Sequence, residues 1–423
     1  MKDIFLYLLK EFENRKIPAY TKRDISVPIQ SEKIITIIGP RRAGKSTLFY
    51  QILEDLVEKG IPTSSLFFFD FDDDRLVGMT ADNWDDLLDA CREKISSHGT
   101  ALSDCIFFFD EIQEAPQWSK FIRRLYDSQT KHIYVTGSNS KLLSSEIPTH
   151  LRGRTLTVEV LPLTFLEYKT FRSDQTDTAI FDYLKFGGFP EVVLQSDPHI
   201  KIEILQNYFN TMLFRDIVER NKIGNASLLK SFMKSLITSA GKSFSVHKTF
   251  NHLKSLGTSV SKDTLYHYLE FCEAAYAIYA VEKFHHKPMV SKSGERKFYA
   301  VDSGYLTALT FENNLGIKFE HTVLRHLKSL GNTEITFFKD TNNYECDFIL
   351  KKPDGSRNAI QVTFDSSEEK TKKRELRGII SACKTFQLLD GWLVTLADTP
   401  ETVRADGITI HSLPFETWIS QIE

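Results

Sequence analysis

Residues 39–47 read Gly-Pro-Arg-Arg-Ala-Gly-Lys-Ser-Thr, and they decide the fold of the N-terminal part of the chain. The segment matches the pattern G-x-x-x-x-G-K-[ST]. It stands between an apolar strand-like run, Ile34–Ile38, and a helical pattern that begins at Ser46. Glycines let backbone N–H groups surround phosphate oxygens, and the helix N-terminus adds the positive end of its dipole. The segment predicts a phosphate-binding loop; the alternative is an ordinary glycine turn before a helix.

Within this loop, each residue type has an expected role. Lys45 is expected to reach the β- and γ-phosphates, and the Ser46 hydroxyl is expected to ligate Mg²⁺. ATP and Mg²⁺ are therefore the predicted cofactors. The residues predicted to surround the nucleotide are Gly39, Pro40, Arg41, Arg42, Ala43, Gly44, Lys45, Ser46 and Thr47.

An acidic pair, Asp110-Glu111, ends the apolar run Cys105–Phe109. Carboxylates are costly to bury, so their place at the end of a core strand favours a chemical role. We expect Asp110 to hold Mg²⁺ through water and Glu111 to polarise the attacking water. The alternative is a strand end that faces solvent. The earlier acidic run Asp70–Asp74 is predicted to be a solvated turn.

Two further segments carry candidate catalytic residues. Ser138 or Asn139, after the next apolar run, would sense the γ-phosphate or orient the attacking water; helix capping is the alternative. Arg152 and Arg154 precede the fifth run, and either would serve as an arginine finger in its own subunit or in a neighbour's. A surface salt bridge is the alternative for both arginines.

The composition excludes several classes of protein. Of 423 residues, 41% are hydrophobic and 26% charged, which excludes a disordered or collagen-like chain. The five cysteines form no C-x-x-C pair, which argues against zinc ribbons and fits a reducing, cytoplasmic location. No uncharged run approaches the ~18 residues of a membrane helix, so no membrane association is expected. A net charge of −3 argues against a polycation that coats nucleic acid.

Alternation of apolar runs with amphipathic stretches predicts an α/β fold with a parallel sheet in the first 165 residues. Helical patterns dominate 166–224. Residues 225–305 show three helical segments and two strand-like stretches, the order of a separate winged-helix unit. Residues 306–423 are α/β again. The strand-like runs of the first part are Lys33–Ile38, Ser65–Phe71, Cys105–Asp110, His132–Thr136 and Thr155–Leu161.

Taken together, these motifs resemble the AAA+-like ATPases of a large prokaryotic family. Its members carry a P-loop ATPase domain, a winged-helix segment and a C-terminal restriction-endonuclease-like domain of unknown function. The resemblance covers essentially the whole chain and implies ATP binding, a five-stranded sheet in the AAA+ order and the roles given above for the loop and the acidic pair. The segments that carry it are GPRRAGKSTL (39–48), FFFDEIQEAPQW (107–118), YVTGSNSKLL (134–143), LRGRT (151–155), LPLTFLEY (161–168), GGFPEVV (187–193), KFYAVDSGYL (297–306) and IQVTFD (360–365).

The C-terminal domain departs from nuclease chemistry at one position. Restriction-type nucleases place a helix glutamate, an aspartate and a strand E-x-K on one metal. Glu320, Asp347 and Gln361 occupy these places, but Thr363 stands where the lysine is expected. We therefore expect a nuclease-like fold with weak or no cleavage and a residual second metal site at most. Ordinary surface charge is the alternative for Glu320 and Asp347.

Residues 225–300 are basic, with eleven Lys and Arg against five Asp and Glu. On the third helical segment, Lys262, Thr264, Tyr266 and His267 would face a DNA groove. The neighbouring Lys242, Lys248 and Lys254 would contact phosphates. A winged helix also docks proteins, so nucleic acid and protein are both candidate partners.

Three interpretations follow. The first is a Mg²⁺-dependent ATPase that couples turnover to a C-terminal half engaging nucleic acid or protein. The second is a metal-dependent nuclease regulated by ATP, and the third is a nucleotide-gated DNA-binding module without turnover. A small-molecule kinase would leave the C-terminal half unexplained. A homo-oligomer is a candidate state, because an arginine acting on a neighbour's nucleotide requires one.

Overall fold

The computed structural model describes residues 1–29, 31–96, 99–137, 151, 153–173, 176, 178–285, 295–310 and 314–422. They form two compact units. The first comprises Met1–Leu161 together with Ala274–Tyr276, and the second comprises Pro162–Glu273 and Ala277–Glu423. The first compact segment thus ends four residues before the predicted limit of the ATP-binding domain, whose boundary stays a prediction.

A five-stranded parallel sheet forms the centre of the first unit, in the order β2-β3-β4-β1-β5. This is the α/β fold with the AAA+ strand order, as predicted. Its inner strands are buried along their whole length, because helices cover both faces, and this explains their uninterrupted apolar runs. The strands are β1 Ile34–Ile38, β2 Leu66–Asp70, β3 Ile106–Asp110, β4 Ile133–Gly137 and β5 Thr155–Glu159.

Aromatic side chains fill both faces of this sheet. On one face, the ring of Phe49 meets that of Phe108 at 5.2 Å, edge to face. On the other, Trp84 stacks on Phe121 at 3.9 Å, and Phe121 contacts Phe109. Each buried Phe is worth ~1.5–3 kcal/mol, so the Phe-rich strands hold the sheet in a fixed position beneath the loop. The helices are α1 Lys2–Asn14, α2 Lys45–Glu58, α3 Asn83–Ser96 and α4 Trp118–Ser128.

The second unit begins with helices. Thr164 caps the first of them by a reciprocal capping box with Glu167, which explains the Thr-x-x-Glu spacing of LPLTFLEY. The helices are α5 Phe165–Arg172, α6 Ala179–Phe186, α7 Pro190–Leu194, α8 Pro198–Thr211 (continued by a π-helical stretch, Met212–Glu219), α9 Ala226–Thr238, α10 Val246–Ser255, α11 Lys262–Ala274, α12 Gly304–Thr310, α13 Leu315–Ser329, α14 Glu369–Phe386 and α15 Phe415–Ile422.

Asp302 joins three of the motif segments in the second unit. Its carboxylate accepts the N–H groups of Gly188 at 2.7 Å and Gly304 at 2.8 Å. A Cβ on Gly187, where φ is +76°, would lie 1.7 Å from an Asp302 oxygen, and the Leu163 N–H donates to the Gly188 carbonyl. The glycine pair is therefore required for close packing around a buried carboxylate, which gives these motifs a structural reason.

A nine-stranded mixed sheet fills the rest of the second unit, in the order β13-β14-β12-β11-β10-β9-β7-β8-β6. Its strands are β6 Ser243–Phe244, β7 Ile278–Lys283, β8 Arg296–Ala300, β9 Glu334–Lys339, β10 Glu345–Lys351, β11 Arg357–Val362, β12 Asp390–Thr395, β13 Glu401–Ala405 and β14 Ile408–Pro414.

The predicted winged-helix order is present as α9, β6, α10, α11 and the hairpin β7–β8. The expectation of a separate small unit differs from the structure, because β7 pairs in parallel with β9 through Glu282 and Thr336. The sheet therefore runs across the predicted boundary at residue 305.

The remaining general expectations concern cysteines and membranes. All five cysteines are buried free thiols. Within the described ranges, no helix combines the length and apolar character that crossing a bilayer would need.

Candidate nucleotide site and nuclease-like centre

The loop after β1 has the backbone geometry that its glycines predicted. Gly39 has φ +148°, and a Cβ there would lie 1.9 Å from the Val160 carbonyl oxygen, so only glycine fits. Gly44 has φ +98° and is the N-cap of α2. The loop therefore delivers backbone N–H groups and the start of a 14-residue helix to one point at the end of the sheet.

Lys45 lies inside this loop. Its side chain is only 4% exposed, and Nζ donates to the carbonyls of Gly39 at 3.1 Å and Pro40 at 3.0 Å. Nζ also lies 4.0 Å from Oε1 of Glu111. The structure thus brings the predicted phosphate-binding cation next to the predicted catalytic carboxylate.

Asp110, the last residue of β3, meets Ser46 directly. Its carboxylate accepts hydrogen bonds from the hydroxyls of Ser46 and Thr136. Burial raises the pKa of Asp110, and these two hydroxyl donors oppose the increase. The residue types fit Mg²⁺, which prefers hard oxygen ligands: a hydroxyl and a carboxylate are in contact at the mouth of the phosphate loop.

Glu111 follows in a left-handed conformation with φ +46°. Its N–H donates to Thr136 Oγ1 at 3.0 Å and to Asp110 Oδ1 at 3.2 Å, and the Gln113 amide donates to its Oε2. Non-glycine residues rarely adopt this conformation, and here hydrogen bonds hold it. Thr136 thereby links Asp110 to Glu111. Thr136 lies in the motif YVTGSNSKLL (134–143), but the sequence predicted Ser138 or Asn139 as the polar residue that acts at the γ-phosphate.

Two other polar residues lie at this end of the sheet. Asp70, predicted to belong to a solvated turn, is the last residue of β2 and is exposed, but it pairs in register with Asp110. Partial desolvation, followed by repulsion from Asp110, raises the pKa of Asp70 to about 6. The rest of its acidic run turns away, with Asp73 bonded to Arg75. Arg23 is buried, and its guanidinium donates to the Ala43 and Leu161 carbonyls at 2.9 and 3.0 Å. Arg23 belongs to no recognisable motif, so its role could not be predicted from the sequence.

Arg154 lies at the opposite end of the sheet. Its carbonyl accepts the N–H of Ile34, the first residue of β1, whereas the phosphate loop follows the last residue. The Arg154 guanidinium pairs with Asp127 at 3.1 Å. A role on the γ-phosphate of its own subunit is therefore wrong, because a residue before a parallel strand cannot reach the end of that sheet. Action on a neighbour's nucleotide stays a prediction. Ser138, Asn139 and Arg152 lie outside the described residues.

The nuclease-like centre forms on α13, β10 and β11, where Glu320, Asp347 and Gln361 were predicted to meet. Asp347 donates its N–H to Oε1 of Gln361 at 3.0 Å. The other end of that amide donates to Glu375 at 2.6 Å. Lys297, for which the sequence predicted no role, lies between Glu320 and Asp347 and forms ion pairs with both. Thr363 bonds the Asp365 carbonyl instead of entering the centre.

The ionisable side chains of this centre shift one another's pKa values. Burial, followed by repulsion from Asp347, raises the pKa of Glu320 to about 7. For Lys297, burial favours the neutral amine, but Asp347, Glu320 and Glu345 outweigh it, so its pKa is raised and it stays an ammonium. Over the part of the chain that the structure covers, no three His, Cys, Asp or Glu side chains are arranged to hold a metal ion, and Glu320, Glu345 and Asp347 face the Lys297 ammonium instead. The residues present therefore do not fit the predicted second metal.

The predicted basic surface comprises the helices α10 and α11 together with Lys242, which lies just before β6. Lys242, Lys248 and Lys254 are exposed, as is Lys262 at the start of α11. The ring of Tyr266 is 49% exposed. His267 is exposed on the same helix and Thr264 is half-buried, so the predicted groove-facing residues are accessible.

Three family models match the chain in succession. Residues 31–169 match a model described as an AAA domain. Residues 177–318 match a domain of unknown function (DUF8612), and residues 312–409 match a model described as a restriction endonuclease. The predicted resemblance to AAA+-like ATPases with a restriction-endonuclease-like C-terminal domain is confirmed.

The chain is also similar to whole proteins and to solved structures over most of its length. An uncharacterized protein of Haemophilus influenzae is 28% identical over 79% of this chain and 83% of its own length. The Aeropyrum pernix Orc1 protein, solved in complex with DNA, covers 74% of this chain and 91% of its own at 11% identity, with a TM-score of 0.34, too low to establish a shared fold. The uncharacterized protein MJ1544 of Methanocaldococcus jannaschii is 34% identical over 97% of this chain and 93% of its own length. The chain therefore belongs to the same family as MJ1544.

Proposed function

We propose that this chain is a Mg²⁺-dependent ATPase whose catalytic residues are Lys45, Ser46, Asp110 and Glu111. One observation carries the proposal: Asp110 accepts the Ser46 hydroxyl while Lys45 lies 4.0 Å from Glu111. Four residues from two separate motifs thus meet at the end of two strands, beside a loop in which a Cβ on Gly39 would collide with backbone. The match to an AAA domain over this region supports the same conclusion.

Each group has a distinct task in this mechanism. The loop N–H groups and Lys45 bind the β- and γ-phosphates, which requires Nζ to exchange its bonds to Gly39 and Pro40 for phosphate oxygens. Ser46 and Asp110 would hold Mg²⁺, which neutralises charge on the phosphates when it is bound. Glu111 accepts the proton of the attacking water.

The test separates binding from turnover. Glu111→Gln should keep ATP binding and lower the phosphate-release rate by about 10²-fold or more, since a positioned base contributes roughly that factor. Lys45→Ala should abolish binding of a fluorescent ATP analogue. Glu114→Gln is the matched control, because Glu114 lies in the same short turn and bonds only the Gln113 side chain through its carboxylate. An unchanged rate in Glu111→Gln would remove Glu111 from the mechanism.

We further propose that the basic surface of α10 and α11 binds nucleic-acid phosphates in this ATPase. The supporting observation is that Lys248, Lys254 and Lys262 are exposed on the consecutive helices α10 and α11, and that Lys242 is exposed just before β6. Lysines so placed neutralise phosphates and release counterions, which makes affinity depend on salt.

Fluorescence anisotropy on duplex and single-stranded DNA and RNA, at several salt concentrations, tests this surface. Lys248→Ala/Lys254→Ala should weaken binding and reduce the slope of log K against log salt by about two. Lys10→Ala/Lys59→Ala, exposed lysines of the first unit, removes the same charge as a control. Equal binding by both double variants would contradict the nucleic-acid role and favour protein docking.

A further inference from the structure

Lys297 occupies the middle of the nuclease-like centre. Its side chain is 1% exposed. Nζ lies 2.6 Å from Oε1 of Glu345, 3.0 Å from Oδ1 of Asp347 and 3.7 Å from Oε1 of Glu320. An ammonium has three N–H donors, and here three carboxylates surround it.

The lysine comes from an unexpected part of the chain. It lies on β8, in the predicted winged-helix segment, whereas Asp347 lies on β10. Two strands separate β8 from β10 in the sheet, and the lysine spans them across the face of Phe337, with Nζ 5.3 Å from that ring. This contact with a buried aromatic ring on β9 stabilises the buried ammonium.

Several other polar groups of the centre already have hydrogen-bond partners within the protein. The second oxygen of Asp347 accepts the Val362 N–H at 3.2 Å. Gln361 uses its oxygen on Asp347 and its nitrogen on Glu375, and the Glu320 oxygen nearest to Lys297 accepts the Tyr299 hydroxyl at 2.6 Å. A divalent ion would have to displace these bonds and lie beside a buried ammonium, and like charges repel strongly where solvent does not screen them.

We propose that the Lys297 ammonium stands where a nuclease would hold its metal ion, so that this centre is an ion-paired structural junction and not a hydrolytic site. The junction ties the wing strand to the strands that carry Asp347 and Gln361. The centre differs from a nuclease by more than the missing lysine at Thr363, because a cation from another strand fills the space between the carboxylates. The inference is independent of the ATPase proposal, since it concerns residues of the second unit alone.

The test measures bound Mn²⁺ by electron paramagnetic resonance on the full chain without nucleotide. Four proteins are compared: the wild type, Asp347→Asn, Lys297→Met and Lys297→Met/Asp347→Asn. All four have the same phosphate loop, so any ion held there cancels in the comparison. We expect equal Mn²⁺ binding by the wild type and Asp347→Asn, one additional bound ion in Lys297→Met, and loss of that ion in the double variant.

Two results would overturn the proposal. One is Mn²⁺ binding, or Mn²⁺-dependent DNA cleavage, by the wild type that Asp347→Asn loses. The other is a folded Lys297→Met protein that gains no ion. If Lys297→Met fails to fold, the comparison of wild type with Asp347→Asn decides alone: equal binding without cleavage supports the proposal, and a difference refutes it.

Discussion

Replacing Thr136 with valine tests whether the link between Asp110 and Glu111 matters for catalysis. Valine has the shape of threonine without the hydroxyl, so the change removes the bond to Asp110 and the 3.0 Å bond from the Glu111 N–H. A hydrogen bond to a charged acceptor is worth ~1.5–3 kcal/mol. The Glu111 N–H is not left alone, because it also reaches Asp110 Oδ1 at 3.2 Å. We therefore expect the first unit to lose about 2–3 kcal/mol of unfolding free energy.

Activity should fall by more than stability explains. The left-handed backbone at Glu111 depends on Thr136, and Asp110 loses one of the two hydroxyl donors that oppose the burial-driven increase of its pKa. Misplacing the base and the Mg²⁺ ligand should raise the barrier by about 1.4–2.7 kcal/mol, a 10- to 100-fold slower turnover. Phosphate release measures turnover, a fluorescent ATP analogue measures binding, and urea unfolding measures stability.

Thr130→Val is the matched control. Thr130 is equally buried, donates to the Cys105 carbonyl at 2.8 Å and accepts the His132 N–H at 3.1 Å, but it precedes β4, at the opposite end of the sheet. It should lose stability and keep the turnover number. The reasoning is refuted if both variants turn over ATP at the wild-type rate, or if both slow equally.

Three further predictions concern other parts of the chain. Asp302→Asn should cost the second unit ~2–4 kcal/mol in urea unfolding, because one amide cannot accept the N–H groups of both Gly188 and Gly304; an unchanged midpoint would contradict this. Burial, followed by repulsion from Arg325, lowers the pKa of His326 to about 4, so the stability that the neutral imidazole contributes is fully present above pH 6.5 and is lost as pH falls towards 4. His326→Phe does not titrate, so its free energy of unfolding should rise by about 3 kcal/mol relative to the wild type between pH 6.5 and pH 4. Parallel pH profiles of the two proteins would refute this. Arg154→Ala should leave ATP binding intact and slow turnover only under conditions where light scattering detects oligomers; equal slowing of monomers would argue against action between subunits.

The sequence predicted those parts of the site that depend on backbone geometry with fixed spacing. A phosphate loop needs its glycines and lysine at set positions, and the acidic pair must end a buried strand, so both were recognisable. The role of Arg154 on the nucleotide of its own subunit could have been excluded from the sequence. Arg154 precedes β5, and the phosphate loop follows the neighbouring parallel strand β1, so the two lie at opposite ends of the sheet. Thr136 was not predicted because it belongs to the strand β4 itself, whereas polar site residues were sought in the loop that follows the strand.

Lys297 could not be predicted in the same way. It is 50 residues from Asp347 along the chain and lies on a strand of a different predicted domain. No spacing rule connects such residues, because their meeting depends on how β7 and β9 pair. The sequence showed that Thr363 occupies the position of the expected nuclease lysine. That another lysine, Lys297, lies in the centre could be seen only in the tertiary structure.

The pairing of β7 with β9 has a practical consequence for dividing the protein. A fragment that starts at residue 306 would lack β7, and the strand Glu334–Lys339, which contains Phe337 and Phe338, would become an unpaired edge of the sheet. Unpaired apolar rims recruit other chains, so such a truncation should aggregate, whereas a fragment that starts at Pro162 retains every strand of the sheet. The wing hairpin and the endonuclease-like strands should therefore be expressed together in one fragment.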